Sequence, residues 1–397
     1  MAPRLVARVT APTKTHPRFA ITTFLAAPLV WAALAVAQVP TAGPLPMALE
    51  KITMPPGFHI QLFAQGLTAA RSMAIGDNGT LFVGTFGLIT GEGNVGKVYA
   101  VRDNDGDYRA DQVLTYASGL NTPNGIAFRD GDLYVGEMNR IVRYDDVESR
   151  LENPPQPVVL KDGLPTDGQH QWRYLEFGPD GKLYFGVGAP CNICERDDPY
   201  ASIVRMNLDG TEFEIYARGV RNSVGLAFDP ETGDLWFTDN GRDLLGDNLP
   251  SDELNHATGR GQHFGYPYCH QGDVVDPDFG RPGVCANYRP PEVKMGPHVA
   301  AIGLTFYTGD MFPAQYKNQI FVAEHGSWNR TTPLGYRLAV VRVQDGRSSG
   351  QEVFAQGWFD GSEVWGRPAD VLPMPDGSLL VSDDLQGAIY RITYQAP

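Results

Sequence analysis

Six stretches of the chain each place a polar or basic side chain directly before an apolar segment. These residues are Arg71, Asn124, His170, the neighbours Arg221 and Asn222, His298 and Arg367. An imidazole can accept a proton near neutral pH, and a guanidinium can bind an anion or stabilise developing negative charge. Taken singly, each residue has a simpler explanation as a turn cap or a hydrogen-bond partner of neighbouring backbone. Brought together, they predict a concave site for an anionic ligand beside a proton acceptor.

The apolar segments that follow these residues belong to an internal repeat. Each unit has an apolar strand, a turn rich in Asp, Gly and Pro, and a second strand of alternating aromatic and aliphatic residues. Most units continue into a third and a fourth strand. The six copies are RSMAIGDNGTLFVGTF, NGIAFRDGDLYVGEM, RYLEFGPDGKLYFGVG, VGLAFDPETGDLWFTDN, IGLTFYTGDMFPAQYKNQIFVAEH and ADVLPMPDGSLLVSDD. Four-stranded units of about 50 residues predict an all-β, six-bladed β-propeller with antiparallel blades.

The two ends of the repeat predict how the ring closes. The sixth unit stops after AIYRITY without an outer strand, while FHIQLFAQGL before the first unit resembles VFAQGW of the fifth. We therefore expect residues 57–67 to complete the sixth blade and remove a free sheet edge. The fourth unit differs, because residues 241–299 read as an insertion over one face.

In a blade that meanders from the axis outward, the residues before the first strand and the loop after the second strand lie at the same end of the ring. The six polar positions should therefore surround the mouth of the central channel. One of the neighbouring loops, DNGRDLLGDNLPSDELN, carries clustered carboxylates. They are Asp239, Asp243, Asp247, Asp252 and Glu253. Such a loop suits calcium, although a solvated acidic loop without a metal would have the same sequence pattern.

A second acidic stretch, DNDGDYRAD, spaces its aspartates like a calcium loop, but its glycine is not where an EF-hand requires one. The aspartates are Asp103, Asp105, Asp107 and Asp111. The stretch falls between a third and a fourth strand, at the opposite end of the ring. It predicts at most a structural calcium site.

Charge and the N-terminus bear on partners and location. The chain has 46 acidic and 32 basic residues and a net charge of −14, which disfavours nucleic acid as a partner. Basic residues precede the apolar run FAITTFLAAPLVWAALAVAQ, and Ala35-Val36-Ala37 fits a cleavage site. We expect a signal peptide at residues 1–37, a propeller domain at 44–397, a periplasmic or secreted protein, and no stable membrane insertion after cleavage. An uncleaved anchor is the alternative.

Four cysteines fit an oxidising compartment. The nearest-neighbour pairings are Cys191 with Cys194 and Cys269 with Cys285, although four cysteines allow three connectivities. A redox CxxC motif or a zinc site is the alternative, but the βαβ pattern of a thioredoxin is missing around CNIC.

Several motifs resemble the glucose/sorbosone dehydrogenase family. They are RNSVGLAF followed by FTDNG, SDELN and HFGYP, with GQHQWRYLEFGPDGKLYFGVG upstream and GRPADVLPMPDGSLLVSDD near the end. The resemblance covers essentially all of the chain after the signal. It implies a secreted six-bladed propeller that oxidises sugars with pyrroloquinoline quinone (PQQ) and Ca²⁺. The GSWNR loop and the CNIC pair are most similar to the L-sorbosone and pyranose dehydrogenase branch.

The resemblance also implies roles for individual residues. His170 matches the catalytic base, Arg221 and Asn222 match the pair that touches the quinone, and the carbonyls of Gly241 and Arg242 match calcium ligands. The remaining predicted cofactor contacts are Arg71, Asn124, His298, Arg367 and either Arg330 or Arg337, while Asp252 completes the predicted metal site. Ala189 and Ala369 replace an acidic residue and an arginine of the glucose enzyme, so we expect a different orientation of the base and a sugar specificity other than that of the glucose enzyme.

The predicted reaction is hydride transfer from a sugar to PQQ, with His170 accepting the proton and Arg221 and calcium stabilising negative charge. The partners are then a sugar and an electron acceptor, either a quinone or a cytochrome. A calcium-dependent lactonase or esterase propeller is the alternative enzyme, although the positions before the strands are mostly basic or amide groups. A propeller that only binds a protein would need no inward polar ring.

Overall fold

The computed structural model describes residues 47–86 and 95–396 of the chain. Within these residues the chain forms six four-stranded antiparallel sheets in a ring, together with one two-stranded hairpin. The first strands of neighbouring sheets contact one another around the axis. The structure is therefore a six-bladed β-propeller, as the repeat predicts.

Each sheet is one blade, and in blades 1 to 5 the strands follow the order of the chain outward from the axis. The first strand, β1 (Phe58–Gln65), precedes the blades. Blade 1 contains β2 (Ala70–Ile75), β3 (Leu81–Thr85), β4 (Val95–Arg102) and β5 (Gln112–Asn121). Blade 2 contains β6 (Gly125–Arg129), β7 (Asp132–Gly136), β8 (Ile141–Tyr144) and β9 (Val158–Lys161). Blade 3 contains β10 (Leu175–Phe177), β11 (Leu183–Val187), β12 (Ser202–Met206) and β13 (Glu214–Arg218).

The remaining blades follow the same plan. Blade 4 contains β14 (Leu226–Phe228), β15 (Leu235–Asp239), β16 (Ser251–Ala257) and β19 (Val293–Pro297), with the hairpin β17 (Cys269–His270) and β18 (Val274–Val275) between its last two strands. Blade 5 contains β20 (Ala301–Phe306), β21 (Ile320–Glu324), β22 (Arg337–Gln344) and β23 (Arg347–Gln356). Blade 6 contains β24 (Pro368–Pro373), β25 (Leu379–Asp383) and β26 (Ala388–Tyr394), and β1 is its fourth strand. Short 3-10 segments lie at Leu49–Lys51, Val147–Arg150, Val284–Asn287 and Ala314–Tyr316.

The turns between first and second strands show why this sequence makes hairpins. In blades 2 and 3 the turn glycines Gly131 and Gly181 have φ angles of 84° and 77°. Residues with a Cβ rarely adopt this left-handed region, so the repeated Asp-Gly pairs select tight turns.

Ring closure follows the prediction. Strand β1 pairs antiparallel with β26, and Phe58 lies opposite Tyr394. The ring of Phe58 packs edge-on against Phe312 and Phe354 of blade 5, at centroid distances of 4.8 and 4.9 Å. The N-terminal strand therefore completes blade 6 and also joins it to blade 5.

The apolar core lies between neighbouring blades. One cluster joins Phe82 and Val98 of blade 1 to Ile126 and Val135 of blade 2, all of them almost fully buried. Each blade thus covers the apolar face of the next, which is why a closed ring is stable and a single blade is not.

The predicted insertion in blade 4 needs a correction. Residues 251–257 and 293–297 are strands β16 and β19, so only the loops around them are inserted. SDELN is consequently strand rather than loop. Every residue of β16 is buried, Asp252 and Glu253 included, because the blade packs on both faces.

Both nearest-neighbour disulfides are present. Cys191 pairs with Cys194, and Cys269 pairs with Cys285. The second bond ties β17 to the 3-10 segment that follows the hairpin. No helix within the described ranges is long and apolar enough to cross a bilayer. The signal-peptide prediction for residues 1–37 falls outside the described residues.

Candidate active site

A cavity of about 310 Å³ lies at the end of the ring where the first strands begin. Eight of the predicted site residues line it, together with aromatic and polar residues from the adjoining loops. The predicted ones are Arg71, His170, Arg221, Asn222, Gly241, Asp252, His298 and Arg367. The ring therefore brings together positions that are far apart in the chain, and five of its six blades contribute to them.

His170 stands in the segment that leads into β10, with a left-handed φ of 59°. Its Nδ1 lies 2.8 Å from the carbonyl oxygen of Ala189. Because a carbonyl only accepts hydrogen bonds, Nδ1 carries the proton and Nε2 keeps a free lone pair. Burial and the charge of Arg221 lower the pKa of His170 to about 3. The imidazole is therefore neutral at physiological pH and can act as a proton acceptor.

The backbone of the Arg-Asn pair is held by one carboxylate. Asp239, the last residue of β15, accepts the N–H of Arg221 at 2.9 Å and that of Asn222 at 2.6 Å. Burial raises the pKa of Asp239 to about 7. The amide of Asn222 reaches Oδ1 of Asn240 at 3.3 Å. Both residues of the pair are thereby fixed at the wall of the cavity.

The guanidinium of Arg221 is buried and hydrogen-bonded on three sides. Its Nε donates to the carbonyl oxygen of Asn192 at 2.9 Å, and its Nη1 donates to that of Asn240 at 3.1 Å. Its Nη2 donates to Oδ1 of Asn192 and to Oδ2 of Asp243, both at 3.0 Å. A guanidinium has five N–H groups, so one on Nη1 has no acceptor among the described residues.

The opposite wall of the cavity carries two more guanidinium groups. Nε of Arg71 lies 2.6 Å from Oδ2 of Asp384, whose carboxylate also contacts Nε2 of His325 at 2.9 Å. Although burial opposes it, Arg71 and His325 lower the pKa of Asp384 to about 2. Arg367 donates to the carbonyl oxygens of His325 and Gly326 at 3.1 and 2.7 Å. The backbone N–H of Arg367 donates to Asp383 at 3.0 Å, but among the described residues no carboxylate forms an ion pair with its guanidinium.

The predicted calcium ligands lie along a third side. Asp252 accepts the N–H of Gly241 at 2.8 Å and that of Ala300 at 2.7 Å. Within the described ranges, no hydrogen bond ends on the carbonyl oxygens of Gly241 or Arg242. The side chain of Arg242 points away to Asp276, at 2.5 Å. Only its carbonyl could therefore serve a cation here, as the resemblance implies.

His298 closes this side of the cavity. It has a left-handed φ of 59°, and its Nε2 donates to the carbonyl oxygen of Gly246 at 2.9 Å. This bond joins the segment before β20 to the loop after β15.

Three predicted cofactor contacts do not line the cavity. Asn124 is buried before β6, and neither polar atom of its side chain has a hydrogen-bond partner in the described structure. Arg330 donates to the carbonyl oxygens of Thr332 and Asp247, and Arg337 pairs across strands with Glu324 at 2.5 Å. The GSWNR loop instead presents three other residues to the cavity, Gly326, Trp328 and Asn329.

Several lining residues were not predicted from the sequence. They are Phe86, Trp172, Asn240, Ala300, His325, Gly326, Trp328 and Asn329, while Asp243 belongs to the acidic loop in which the sequence predicts calcium. Asn240 and His325 could have been predicted from the repeat, because each directly follows the second strand of its blade. Asp384 occupies the same position in blade 6, behind the lining.

The acidic turn between β4 and β5 is separate from this cavity. Oxygen atoms of Asp103, Asp105 and Asp111 lie within 4.8 Å of one another, and in the described residues this is the one group of three side chains that could hold a metal ion. Carboxylates of this turn also accept N–H groups of the turn itself, which explains their proximity without an ion. A calcium site here remains a prediction.

Comparisons with known proteins agree with the fold and with the motifs. An uncharacterised protein of Borreliella burgdorferi is 30% identical over 88% of this chain and 93% of its own length. A pyrroloquinoline quinone-dependent sugar dehydrogenase of Hypocrea jecorina is 24% identical over 67% of this chain and 71% of its own. This second relative confirms the resemblance to the sugar dehydrogenases.

A solved structure shows the same fold. The calcium structure of a family AA12 carbohydrate-active enzyme from Trichoderma reesei superposes with a TM-score of 0.73, at 20% identity. The match covers 89% of this chain and all of that one. The model of a domain of unknown function, DUF7133, matches residues 45–392, and the chain therefore belongs to the DUF7133 family.

Proposed function

We propose that this protein is a PQQ-dependent dehydrogenase that oxidises an aldose or a sorbosone-type sugar. The observation that carries the proposal is the position of His170, a neutral imidazole shared by two adjoining cavities. The sugar dehydrogenase of Hypocrea jecorina supports the class of reaction.

The first cavity has the chemistry that PQQ requires. PQQ is a planar tricarboxylate, and Arg71, Arg221 and Arg367 would hold its carboxylate and carbonyl oxygens. Phe86 and Trp172 give the same cavity flat apolar walls, which suit an aromatic ring system. When bound, PQQ would supply the acceptor for the two electrons and the hydrogen that leave the sugar carbon.

The carbonyls of Gly241 and Arg242 would hold Ca²⁺ beside the cofactor, with Asp252 behind them. Carbonyl and carboxylate oxygens are the ligands that calcium prefers, and these carbonyls are free of protein hydrogen bonds in the described residues. Asp252 shapes this site by holding the N–H groups of Gly241 and Ala300. The calcium structure of the Trichoderma reesei enzyme supports a cation in a protein of this fold.

The second cavity, of about 330 Å³, would hold the sugar. It is lined by Gln169, His170, Trp172, Asn192, Asp243, Leu244 and Trp328. His170 borders both cavities, so its free Nε2 can take the hydroxyl proton as the C–H bond breaks. General base catalysis of this kind contributes about 10²–10⁴-fold. The carbonyl of Ala189 holds the ring in the tautomer that this step needs.

Arg221 would stabilise negative charge that develops in the first cavity. Its burial strengthens this effect, since charges interact more strongly away from water. The one N–H of its Nη1 group without a described protein acceptor is the group free to do so.

Two disulfides support export to an oxidising compartment, so we propose a periplasmic or secreted enzyme whose electrons pass to a quinone or a cytochrome. The lactonase alternative would need metal-binding carboxylates clustered at the axis. Among the described residues, the one such cluster lies in the β4–β5 turn at the other end of the ring.

The test is dye reduction by the purified protein. Protein loaded with PQQ and Ca²⁺ should reduce an artificial dye with aldoses or sorbosone as substrate, and protein without PQQ should not. The same preparation with Ca²⁺ alone would be assayed on lactones and aryl esters. Hydrolysis without dye reduction would replace the dehydrogenase proposal with the hydrolase.

A further inference from the structure

Asn192 provides two of the four acceptors that hold the guanidinium of Arg221. Its carbonyl oxygen accepts from Nε and its Oδ1 accepts from Nη2, at 2.9 and 3.0 Å. These two bonds hold the edge of the guanidinium plane that carries Nε and Nη2. The orientation of that plane decides where the one free N–H points.

Asn192 is itself held from two directions. Its Oδ1 also accepts the N–H of Asp243 at 2.7 Å, and its Nδ2 donates to the carbonyl oxygen of Asp243 at 3.0 Å. On the other side, Asn192 lies inside the four-residue ring closed by the Cys191–Cys194 disulfide. The N–H of Cys194 donates to the hydroxyl of Tyr266 at 2.9 Å, which anchors that ring to the blade 4 insertion.

We infer that Asn192, held by the Cys191–Cys194 disulfide, is a positioning residue that orients Arg221 toward the cofactor cavity. This inference rests on the proposed function. A short disulfide ring restricts the backbone, so the carbonyl of Asn192 stays in one place and loses little entropy when Arg221 binds it. A donor oriented in advance binds an anionic ligand more tightly than one that must be ordered on binding.

In Asn192→Ala, the guanidinium loses the bond from Nη2 to Oδ1 but keeps the backbone carbonyl of residue 192, together with Asn240 and Asp243. It would then turn toward Asp243, which is the remaining charged partner. Such a turn moves the free N–H of Nη1 away from the cavity. The positive charge of Arg221 is then balanced by Asp243 and stabilises an anionic ligand less.

The first experiment measures binding without turnover. PQQ is titrated into the apo-protein in the presence of Ca²⁺, and tryptophan fluorescence reports binding because Trp172 and Trp328 line the cavity. The Asn192→Ala variant should bind PQQ about 10- to 100-fold more weakly, since hydrogen bonds to charged groups have this magnitude. Asn192→Asp keeps both acceptors for Arg221, but it replaces the Nδ2 donor to the carbonyl oxygen of Asp243 with an acceptor and adds negative charge beside Arg221, so it should also bind PQQ more weakly.

The matched control is Asn207→Ala. Asn207 also makes two side-chain hydrogen bonds in blade 3, to Lys182 and Thr211, but it lies in the β12–β13 turn outside the cavity. This variant should bind PQQ like the wild type. With PQQ saturating, Asn192→Ala should lower kcat per PQQ-binding site, counted in the same titration, which loss of folded protein alone would not produce.

The second experiment tests the disulfide. The double variant Cys191→Ser, Cys194→Ser should also bind PQQ more weakly. Adding Asn192→Ala to it should cost less than the sum of the separate losses, because the backbone carbonyl and the Oδ1 of Asn192 hold the same edge of one guanidinium. Removing the other disulfide with Cys269→Ser, Cys285→Ser should leave PQQ affinity unchanged.

The outcomes separate the inference from the proposed function. Wild-type PQQ affinity and kcat in Asn192→Ala would overturn the inference while leaving the dehydrogenase intact. Fully additive losses from Asn192→Ala and the Cys191, Cys194 variant would overturn the link to the disulfide. A wild-type protein that neither binds PQQ nor reduces dye would instead reject the proposed function.

Discussion

The imidazole of His170 is oriented by a backbone atom, the carbonyl oxygen of Ala189, at 2.8 Å from Nδ1. The resemblance to the glucose enzyme predicts an acidic side chain where this chain has Ala189. A carbonyl fixes the tautomer as a carboxylate would, but it adds no negative charge that would favour the imidazolium. The base is therefore held in place while its pKa stays low.

Replacing His170 with asparagine should abolish turnover without preventing cofactor binding. Asparagine has similar polarity but cannot take up a proton, so the rate of dye reduction should fall by about 10²–10⁴-fold. PQQ titration should give an affinity close to that of the wild type. His59→Asn, on an exposed position of β1, is the control. Wild-type dye reduction by His170→Asn would remove this residue from the mechanism.

The acidic limb that His170 contributes to the pH profile should lie well below pH 6. Because burial and Arg221 lower the pKa of His170 to about 3, the neutral form persists well below the ordinary value of 6.5. The acidic limb of kcat/KM due to His170 should then lie below about pH 4. Removing the positive charge with Arg221→Ala should move that limb to higher pH. An NMR titration of the His170 ring centred near pH 6.5 would contradict the buried, neutral base.

The lowered pKa of His170 also makes the free energy of unfolding depend on pH. Between pH 6.5 and about 3 the unfolded chain binds a proton at His170 that the folded chain does not. Stability should therefore rise with pH across this window, and it should be lost as pH falls through it. Urea titrations of wild type and His170→Asn at pH 4 and pH 7 should show a smaller pH dependence in the variant.

Arg221→Ala should depress the rate of sugar oxidation more than it weakens sugar binding. One well-placed donor to developing negative charge contributes about 2.7–4 kcal/mol, or about 10²–10³ in rate. The loss should appear in kcat, because the interaction strengthens in the transition state. Arg205→Ala, which breaks a partly exposed pairing with Asp180 and Glu214, is the control. An Arg221→Ala protein that melts early but turns over normally would end the catalytic assignment.

Asp384→Asn should destabilise the fold. This change leaves Arg71 buried without its carboxylate, and breaking a buried pair from one side costs about 3–5 kcal/mol. Urea unfolding measures the loss, with Glu352→Gln as a control that removes a surface pairing with Arg342. Equal midpoints for Asp384→Asn and the wild type would mean that the pair does not contribute to stability.

Phe58→Ala should weaken the closure between β1 and blade 5. The side chain is buried against Phe312 and Phe354, so its loss should cost about 3–5 kcal/mol. His59→Ala changes the next residue of β1, which is exposed, and should leave the unfolding midpoint unchanged. Similar midpoints for the two variants would argue that closure depends little on this aromatic contact.

The sequence by itself determined the blades, because alternation and turn glycines act over a few residues and recur six times. It also determined which end of each blade carries His170 and Arg221, since that follows from strand order. The closing strand was readable for the same reason, as β1 repeats the pattern of an outer strand.

Only the tertiary structure decided which side chains meet across blades. Arg71 and Asp384 come from the first and last blades, and Asn192 reaches Arg221 from the neighbouring blade. Such contacts depend on how the ring closes and on loop paths, to which no local periodicity extends. The sequence did not predict the burial of Asp252 and Glu253, for a related reason. Acidic residues ordinarily indicate a solvated loop, and only packing between blades, with backbone N–H groups to satisfy their carboxylates, places them inside strand β16.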